Sequence, residues 1–208
     1  MSIIIPSAIK LAPQAYQRPL MHTLDVFNIT NPAEFLATVY YESNYLQTLS
    51  ENLNYTCDAL LKRFGRHRIS YADAMKFGRS PPNKPAFQEA IANAIYGGKW
   101  GRENLGNYLP GDGWHYRGQG PIQLTGRDNW ERFGEYLGNP QVAANPSMIF
   151  KDPMLACLSS GFFWSKLKNL NACGNDMRAI TKKVTGASDT AIKTRTAYQA
   201  RVQQLITA

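Results

Sequence analysis

Glu42 and Glu51 are the residues of this sequence best suited to do chemistry. Glu42 falls in a segment where Phe35, Val39 and Leu46 recur at helical spacing. At about 100° per residue, Glu42 lies in the middle of that apolar stripe. Burial raises the pKa of a carboxyl group, and a raised pKa suits a general acid that works near neutral pH.

Glu51 lies in a stretch of a different kind. The helical pattern stops before it, and the Ser and Asn residues at 50–54 predict a loop. We therefore expect Glu51 to be better hydrated than Glu42, and ionised. One neutral and one ionised carboxyl group form the pair that glycoside hydrolysis uses. The alternative is that Glu42 is a helix-edge residue whose carboxylate reaches water or pairs with an arginine from another helix.

The composition indicates one globular domain with a basic surface. The chain has 208 residues, of which 44% are hydrophobic and 18% charged, enough for a sizeable core. Its formal net charge of +8 predicts an anionic partner: nucleic acid, acidic lipid or a bacterial envelope. The densest basic run, at 62–68, is either a solvated helix end or an anion-binding patch.

The cysteines and histidines predict no disulfide, metal site or cofactor. Three cysteines are an odd number, and neither they nor the three histidines have metal-ligand spacing. Buried reduced thiols are consistent with synthesis in a cytoplasm. The chain starts without a basic region and Pro6 interrupts its short apolar run, so we expect no secretory signal and no membrane span.

Helix signals recur along most of the chain, which predicts a mainly α fold. Helices are expected after N-caps at Asn31, Thr56, Ser70, Asp152, Asn175 and Ser188, from Pro85, and over 127–137. Glu34 has the position of a capping-box acid. Residues 97–120 and 138–152 are predicted to be mostly loop.

Two further stretches could contact a ligand. The glycine-rich residues 97–120 carry Trp100, Tyr108, Trp114 and Tyr116, which either stack on sugar rings or pin the loop to the core. Residues 121–126 alternate apolar and polar side chains, which predicts a short extended piece with Gln123 and Thr125 on one face.

Residues 116–126, Tyr-Arg-Gly-Gln-Gly-Pro-Ile-Gln-Leu-Thr-Gly, resemble the signature segment of the family-19 glycoside hydrolases, the chitinase-like enzymes. Residues 35–43 resemble that family's helix bearing the acid glutamate, and residues 49–55 resemble the segment that follows in its bacteriophage members. The resemblance extends over residues 25–206. Two positions depart from the family pattern: Tyr41 replaces a histidine, and Thr185-Gly186-Ala187 replaces Asn-Gly-Gly.

The resemblance implies a role for each candidate residue. Glu42 would protonate the glycosidic oxygen, Glu51 would activate water, and the Thr125 hydroxyl would hold that water. The remaining site residues would lie near the substrate. Gln123 and Asn129 would contact its N-acetyl groups, and Tyr116 would line the cleft. Arg195 would help to keep the base ionised.

The resemblance also implies a fold and a function. We expect a lysozyme-like or chitinase-like, two-lobed helical domain with a central cleft, spanning 1–208 without a separate wall-binding module. The expected function is that of a monomeric endolysin that cuts peptidoglycan glycan strands with inversion. It would stay in the host bacterial cytoplasm until a membrane pore of the holin type releases it to the periplasm and cell wall.

Two alternatives remain open from the sequence. The same scaffold could act as a chitinase on N-acetylglucosamine polymers, because a fold does not determine a substrate. A non-catalytic basic protein that binds glycan or nucleic acid would also use the basic run and the aromatic loop. No nucleic-acid motif is present, and a paired-carboxylate site has no role in binding a polyanion, so we expect no nucleic-acid partner.

Overall fold

A computed structural model describes residues 5–80, 82, 84–186 and 189–207. The described residues are mainly helical, as predicted, and contain isolated β-bridges but no strand. In chain order the helices are α1 (Ile5–Ile9), α2 (Gln14–Val26), α3 (Pro32–Ser43), α4 (Cys57–Phe64), α5 (Tyr71–Phe77), α6 (Gln88–Ile95), α7 (Gly98–Leu105), α8 (Asp112–His115), α9 (Arg127–Leu137), α10 (Pro140–Ala144), α11 (Pro153–Phe162), α12 (Met177–Thr185) and α13 (Asp189–Thr207).

Several helix ends follow directly from local sequence. The side chains of Thr56, Ser70 and Asp152 accept hydrogen bonds from backbone N–H groups in the first turns of α4, α5 and α11, as N-caps do. The bounds of α9 agree with the prediction. Helix α12 is capped by Asp176, one residue beyond the predicted Asn175. The predicted cap Ser188 lies outside the described residues.

The two predicted loops contain helices. Residues 97–120 include α7 and α8, and residues 138–152 include α10 and a 3₁₀ turn, Pro146–Phe150. Gly101 lies within α7 without breaking the helix, and close packing requires a residue without a Cβ atom there. A Cβ atom at Gly101 would lie 1.9 Å from the carbonyl oxygen of Tyr96, so only glycine permits this approach.

The chain forms two compact units. The first consists of residues up to 49, residues 120–123 and residues from 147 onward, and the second consists of 50–119 and 124–146. In the first unit, α11 packs on α2 and continues into a π-helical turn, Phe163–Leu167. A Cβ atom at Gly161 would lie 2.2 Å from the Phe27 ring, so glycine sets the spacing of these helices. Helix α13 packs along α3.

Asn31 connects the start of α3 to the segment after α11. Its amide nitrogen donates to the carbonyl oxygens of Leu170 (3.2 Å) and Gly174 (2.7 Å). Its amide oxygen accepts a hydrogen bond from the indole N–H of Trp164 (3.1 Å). The expected capping role of Asn31 is therefore wrong: the residue precedes α3, but its side chain makes no capping hydrogen bond.

The capping-box role expected for Glu34 is not observed either. Glu34 is 2% exposed, and its carboxylate accepts a hydrogen bond from the side-chain amide of Gln199 in α13 (2.6 Å). A buried carboxylate needs such a partner because it has lost its hydration. Glu34 therefore joins α3 to α13 and does not close the first turn of its own helix.

The second unit has its own core. Helix α10 packs on α9, whose Trp130 and Phe133 are fully buried. Helices α4 to α6 and the segment before them contribute the apolar side chains of Leu53, Leu60, Phe64, Ile69, Ala74, Ile91, Ala92 and Ile95. Within the described ranges no helix is long and apolar enough to cross a bilayer. The thiols of Cys57, Cys157 and Cys173 are free.

We expect Asn31→Ser to destabilise the first unit by about 1–3 kcal/mol, because it leaves the buried Leu170 carbonyl without its donor, while the Trp164 indole keeps its hydrogen bond to Asn171 (3.1 Å). Serine is as good an N-cap as asparagine, so a capping residue would tolerate this change. Chemical unfolding of wild-type and variant protein measures the difference.

Asp176→Ser provides the control for this measurement. Asp176 is exposed, and its carboxylate accepts a hydrogen bond from the backbone N–H of Ala179 (3.0 Å), which serine can replace. We expect a loss of only a few tenths of a kcal/mol. Equal losses in the two variants would show that Asn31 acts as an ordinary cap.

Candidate active site

Glu42 lies in the last turn of α3, just before a bend with unusual backbone geometry. Asn44, Tyr45 and Leu46 all have positive φ angles, of 47°, 54° and 66°. Non-glycine residues rarely adopt this conformation, and a run of three is strained unless the surroundings enforce it. Such strain is concentrated at functional sites. The sequence contains no glycine here, so nothing in it indicated the bend.

Hydrogen bonds from Ser43 hold this bend. The Ser43 hydroxyl donates to the carbonyl oxygen of Val39 (2.6 Å) and accepts from the backbone N–H of Leu46 (2.8 Å). The Ser43 carbonyl accepts from the backbone N–H of Thr48 (2.9 Å). Because the residue next to Glu42 is tied on both sides, the position of Glu42 at the helix end is well defined.

The carboxylate of Glu42 pairs with Arg195 of α13. The guanidinium group of Arg195 donates a hydrogen bond to Glu42, and its side chain is 0% exposed, against 17% for that of Glu42. Burial lowers the pKa of Arg195 to about 10, while the nearby Tyr41 raises it. Arg195 therefore stays cationic at neutral pH. The structure thus shows the arginine-paired alternative for Glu42, and a guanidinium favours the ionised carboxylate.

Glu51 is held by the second unit. Its carboxylate accepts hydrogen bonds from the hydroxyl of Tyr96 (2.6 Å) and the backbone N–H of Gly118 (3.2 Å). Its own backbone N–H donates to the Gly118 carbonyl (3.0 Å). Burial raises the pKa of Glu51, and these hydrogen bonds, with the charges of Arg63 and Arg117, offset part of the rise.

The expected difference between the two carboxyl groups is therefore wrong. The sequence predicts a hydrated Glu51 and a buried Glu42, because Glu51 lies in a polar loop and Glu42 on an apolar stripe. In the structure Glu51 is desolvated by residues distant in sequence, and Glu42 contacts a buried cation. Arg195, expected to support Glu51, contacts Glu42.

Arginines and aromatic rings surround Glu51. The guanidinium carbon of Arg68 lies 3.7 Å from the ring centroid of Trp100, and that of Arg117 lies 3.8 Å from Trp114. The basic run at 62–68 therefore contributes Arg68 to the surroundings of Glu51, since the two charges influence one another. The sequence did not indicate Tyr96, which directly follows α6 and lies off the buried face formed by Ile91 and Ile95.

Residues 119–124 form a turn, not the expected extended piece. Gln119 and Leu124 pair as an antiparallel bridge, with N–H···O distances of 3.1 and 2.8 Å. Between them Gln123 has a φ of 58°, and its side-chain amide donates to the Gly120 carbonyl (3.1 Å). The prediction that Gln123 and Thr125 share one face by alternation is therefore wrong, because a turn breaks the period of two.

The other candidate residues lie in the second unit. Thr125 is half-buried just before α9, and its carbonyl accepts a hydrogen bond from the side-chain amide of Asn129 (2.7 Å). Tyr116 is 3% exposed, and the Arg127 guanidinium lies 4.7 Å from its ring centroid. Arg127 in turn pairs with Asp112 (2.5 Å). Tyr116 thus offers little surface to a ligand, and Asn129 also supports the local backbone.

One aromatic residue of the glycine-rich stretch 97–120 packs into the core, and another lines a groove. Tyr116 is buried, whereas Tyr108 is 48% exposed. Cβ atoms added at Gly98 or Gly111 would meet no atom within 4 Å, so these glycines leave space open. The groove has a volume of about 590 Å³ and is lined by Asn93, Gly97, Gly98, Lys99, Arg102, Asn107, Tyr108, Leu109, Pro110, Gly111 and Gly113.

We expect Glu51→Gln to become more stable relative to the wild-type protein as the pH rises from the unfolded pKa through the raised folded pKa of Glu51. Because burial raises the pKa of Glu51, the folded state binds this proton more tightly than the unfolded state. The stabilisation is complete below the unfolded pKa of about 4.3 and is lost as the pH rises through the folded pKa. Thermal unfolding at a series of pH values measures the trend.

Glu103→Gln is the matched control, because the Glu103 side chain in α7 is 57% exposed. Its stability relative to the wild-type protein should not follow this pH trend. A Glu51→Gln protein that loses relative stability on going from acid to neutral pH would contradict the buried environment of Glu51.

Comparisons with known proteins identify relatives of this chain. No protein-family model matches the chain. A glycosyl hydrolase family 19 domain-containing protein of Haemophilus influenzae is 31% identical over 185 residues, which cover 88% of this chain and 84% of that protein. A shorter match, 36% identical over 62 residues, links 29% of this chain to 24% of an acidic 26 kDa endochitinase of Solanum lycopersicum.

Solved structures share the fold at low identity. Chitinase C from Streptomyces griseus superposes with a TM-score of 0.59 at 16% identity, covering 100% of this chain and 79% of that chain. A bacterial family 19 chitinase gives 0.58 at 15% identity, covering 97% and 92%. Since the Haemophilus influenzae relative matches over most of both sequences and these structures share the helical fold, the chain belongs to glycosyl hydrolase family 19.

Proposed function

We propose that this protein hydrolyses the glycan strands of bacterial peptidoglycan as an endolysin. The observation that carries the proposal is a pair of carboxylates, each held by a dedicated partner, in a chain of a glycosidase family. Glu51 is held by Tyr96 and Gly118, and Glu42 by Arg195. Desolvated carboxylates with specific partners are enriched at functional sites. In glycosidases two of them carry out the reaction.

Glu51 is suited to the base role that the resemblance implies. A general base works best when its pKa lies near the operating pH, and burial raises the pKa of Glu51 in that direction. The hydrogen bonds that Tyr96 and Gly118 donate stabilise the ionised form of Glu51, which is the form that accepts a proton from water. In this mechanism Thr125 holds the water molecule that Glu51 deprotonates.

Glu42 supplies the proton to the leaving oxygen in the same mechanism. In the resting structure it contacts Arg195, whose charge favours the ionised carboxylate. The acid role therefore requires that this contact loosen when substrate binds, so that Glu42 can carry a proton. Attack by water from the opposite face of the sugar inverts the anomeric centre and needs the two carboxyl groups roughly 6.5–9.5 Å apart.

Peptidoglycan is favoured as the substrate by charge. The formal net charge of +8 attracts the protein to an anionic wall, and chitin offers no such attraction. Three free thiols fit synthesis in the host cytoplasm, followed by release through a membrane pore to the wall, where the protein acts as a monomer. Chitin is the second candidate substrate, because the tomato relative is an endochitinase.

We expect Glu42→Gln and Glu51→Gln to reduce the hydrolysis of purified peptidoglycan by about 10²–10⁴-fold, the usual contribution of a general acid or base. Both variants remove a proton-transfer group and keep its shape. Release of reducing ends measures the rate, and mass spectrometry of the products identifies the bond that is cut.

Glu103→Gln, on the exposed face of α7, should keep full activity. Release of soluble sugar from chitin under the same conditions separates the two candidate substrates. Full peptidoglycan hydrolysis by Glu42→Gln would refute its acid role, and faster cleavage of chitin than of peptidoglycan by the wild-type protein would favour the chitinase.

We expect Tyr96→Phe to shift the acidic limb of the kcat/KM profile to higher pH. The Tyr96 hydroxyl lowers the pKa of Glu51 by donating to its carboxylate, so its removal raises that pKa further. The base is then protonated, and inactive, up to a higher pH. Tyr136→Phe at an exposed position is the control, and a limb that stays in place or moves to lower pH contradicts Glu51 as the base.

A further inference from the structure

A row of tyrosines leads from Glu42 to a second arginine within the first unit. The guanidinium carbon of Arg195 lies 5.1 Å from the ring centroid of Tyr41, next to Glu42 in the chain. The Tyr41 ring packs edge-on against Tyr198 of α13 at 5.6 Å. Tyr198 stacks on Tyr45 at 5.5 Å, with 30° between the ring planes. The row therefore begins at the proposed acid and crosses from α3 to α13.

The strained bend after α3 is what brings Tyr45 into this row. Tyr45 has a φ of 54° and stacks on the buried Tyr40 at 5.2 Å. An ordinary helix end would not require three successive left-handed residues. Strain of this kind persists where it serves a function, and here it presents the Tyr45 hydroxyl to α13.

Arg201 of α13 ends the row. Its Nη1 donates to the Tyr45 hydroxyl (3.0 Å), and its guanidinium carbon lies 5.7 Å from the Tyr45 ring centroid. Arg201 is exposed, and among the described residues no carboxylate forms an ion pair with it. One of its five N–H groups is thus used to orient the guanidinium, and the charge is left uncompensated by the protein.

We infer that Arg201, Tyr45 and Tyr198 form a subsite near Glu42 that binds a carboxylate of the substrate. An oriented guanidinium binds carboxylates through two parallel hydrogen bonds, and the Tyr45 hydroxyl, on a ring stacked against Tyr198, orients this one. Peptidoglycan carries carboxylates on its lactyl and peptide groups, whereas chitin carries none. The subsite, which rests on the proposed function, therefore selects acid-bearing glycan over uncharged N-acetylglucosamine polymer.

Arg201→Gln tests this specificity. We expect the ratio of kcat/KM for soluble peptidoglycan fragments to that for chitin oligosaccharides to fall about tenfold or more, mainly through KM on the charged substrate, because a charge-assisted hydrogen bond is lost. Arg201→Lys should recover part of the ratio, since it restores the charge but not the bidentate geometry. Tyr45→Phe should lower it less, because only the orienting hydroxyl is removed.

Lys193→Gln is the matched control, since Lys193 is an exposed cation on the same helix. It should leave the ratio unchanged. An equal fall in Lys193→Gln would show that net charge alone is responsible, and an equal loss on both substrates in Arg201→Gln would show a general structural role. Either result overturns the subsite. Amidation of the substrate carboxyl groups should erase the difference between wild-type protein and Arg201→Gln.

Binding measurements separate this subsite from the proposed activity. Calorimetry with Glu51→Gln protein, which alters the other unit, gives the affinity for a peptide-bearing glycan fragment and for a chitin oligosaccharide of the same length, which carries no carboxylate. Adding Arg201→Gln should weaken only the first, by about tenfold or more. If the wild-type protein fails to cleave peptidoglycan but this difference persists, the proposed function fails and the subsite stands. If Arg201→Gln leaves the affinity for the peptide-bearing fragment unchanged, the subsite is wrong and the proposed function is not affected.

Discussion

A buried guanidinium requires a counter-charge, and this requirement organises the first unit. The Arg195 side chain is fully buried on α13 and pairs with Glu42 at the end of α3. An unpaired charge at such a depth would cost several kcal/mol, so α3 and α13 must keep this contact as long as both groups are ionised. A second polar contact between the same helices, Gln199 to Glu34, supports the same packing. The position of Glu42 is thus set by helix packing.

The second unit also contains a desolvated charged group, the carboxylate of Glu51, but stabilises it differently. Within the described part of the chain no cation forms an ion pair with Glu51; its carboxylate accepts hydrogen bonds from a tyrosine hydroxyl and a backbone N–H, and arginines lie nearby. Burial raises the pKa of Glu51 by more than its hydrogen bonds and the nearby arginine charges lower it, so the carboxylate is a stronger base than a hydrated one. The two carboxyl groups therefore lie in different electrostatic environments: burial raises the pKa of Glu51, and Arg195 favours the ionised form of Glu42.

Backbone strain occurs where these side chains are placed. Three left-handed residues follow Glu42, and Gln123 has a positive φ in the turn between Gln119 and Leu124. The Ser43 hydroxyl and the Gly120 carbonyl accept local hydrogen bonds that hold both features. Strain at such positions is stable only because the surrounding helices are well packed. The candidate active-site segments are thus supported by the cores of the two units.

The sequence by itself determined the helical class, the capping residues Thr56, Ser70 and Asp152, and Glu42 and Glu51 as candidate catalytic residues. These follow from local spacing and from side-chain preferences that act within one turn. The protonation environments, the bend at Tyr45 and the partners of Asn31 and Arg195 were decided only by the tertiary structure. The reason is physical: desolvation and charge pairing depend on groups far away in the chain, and no local pattern encodes which of them will meet.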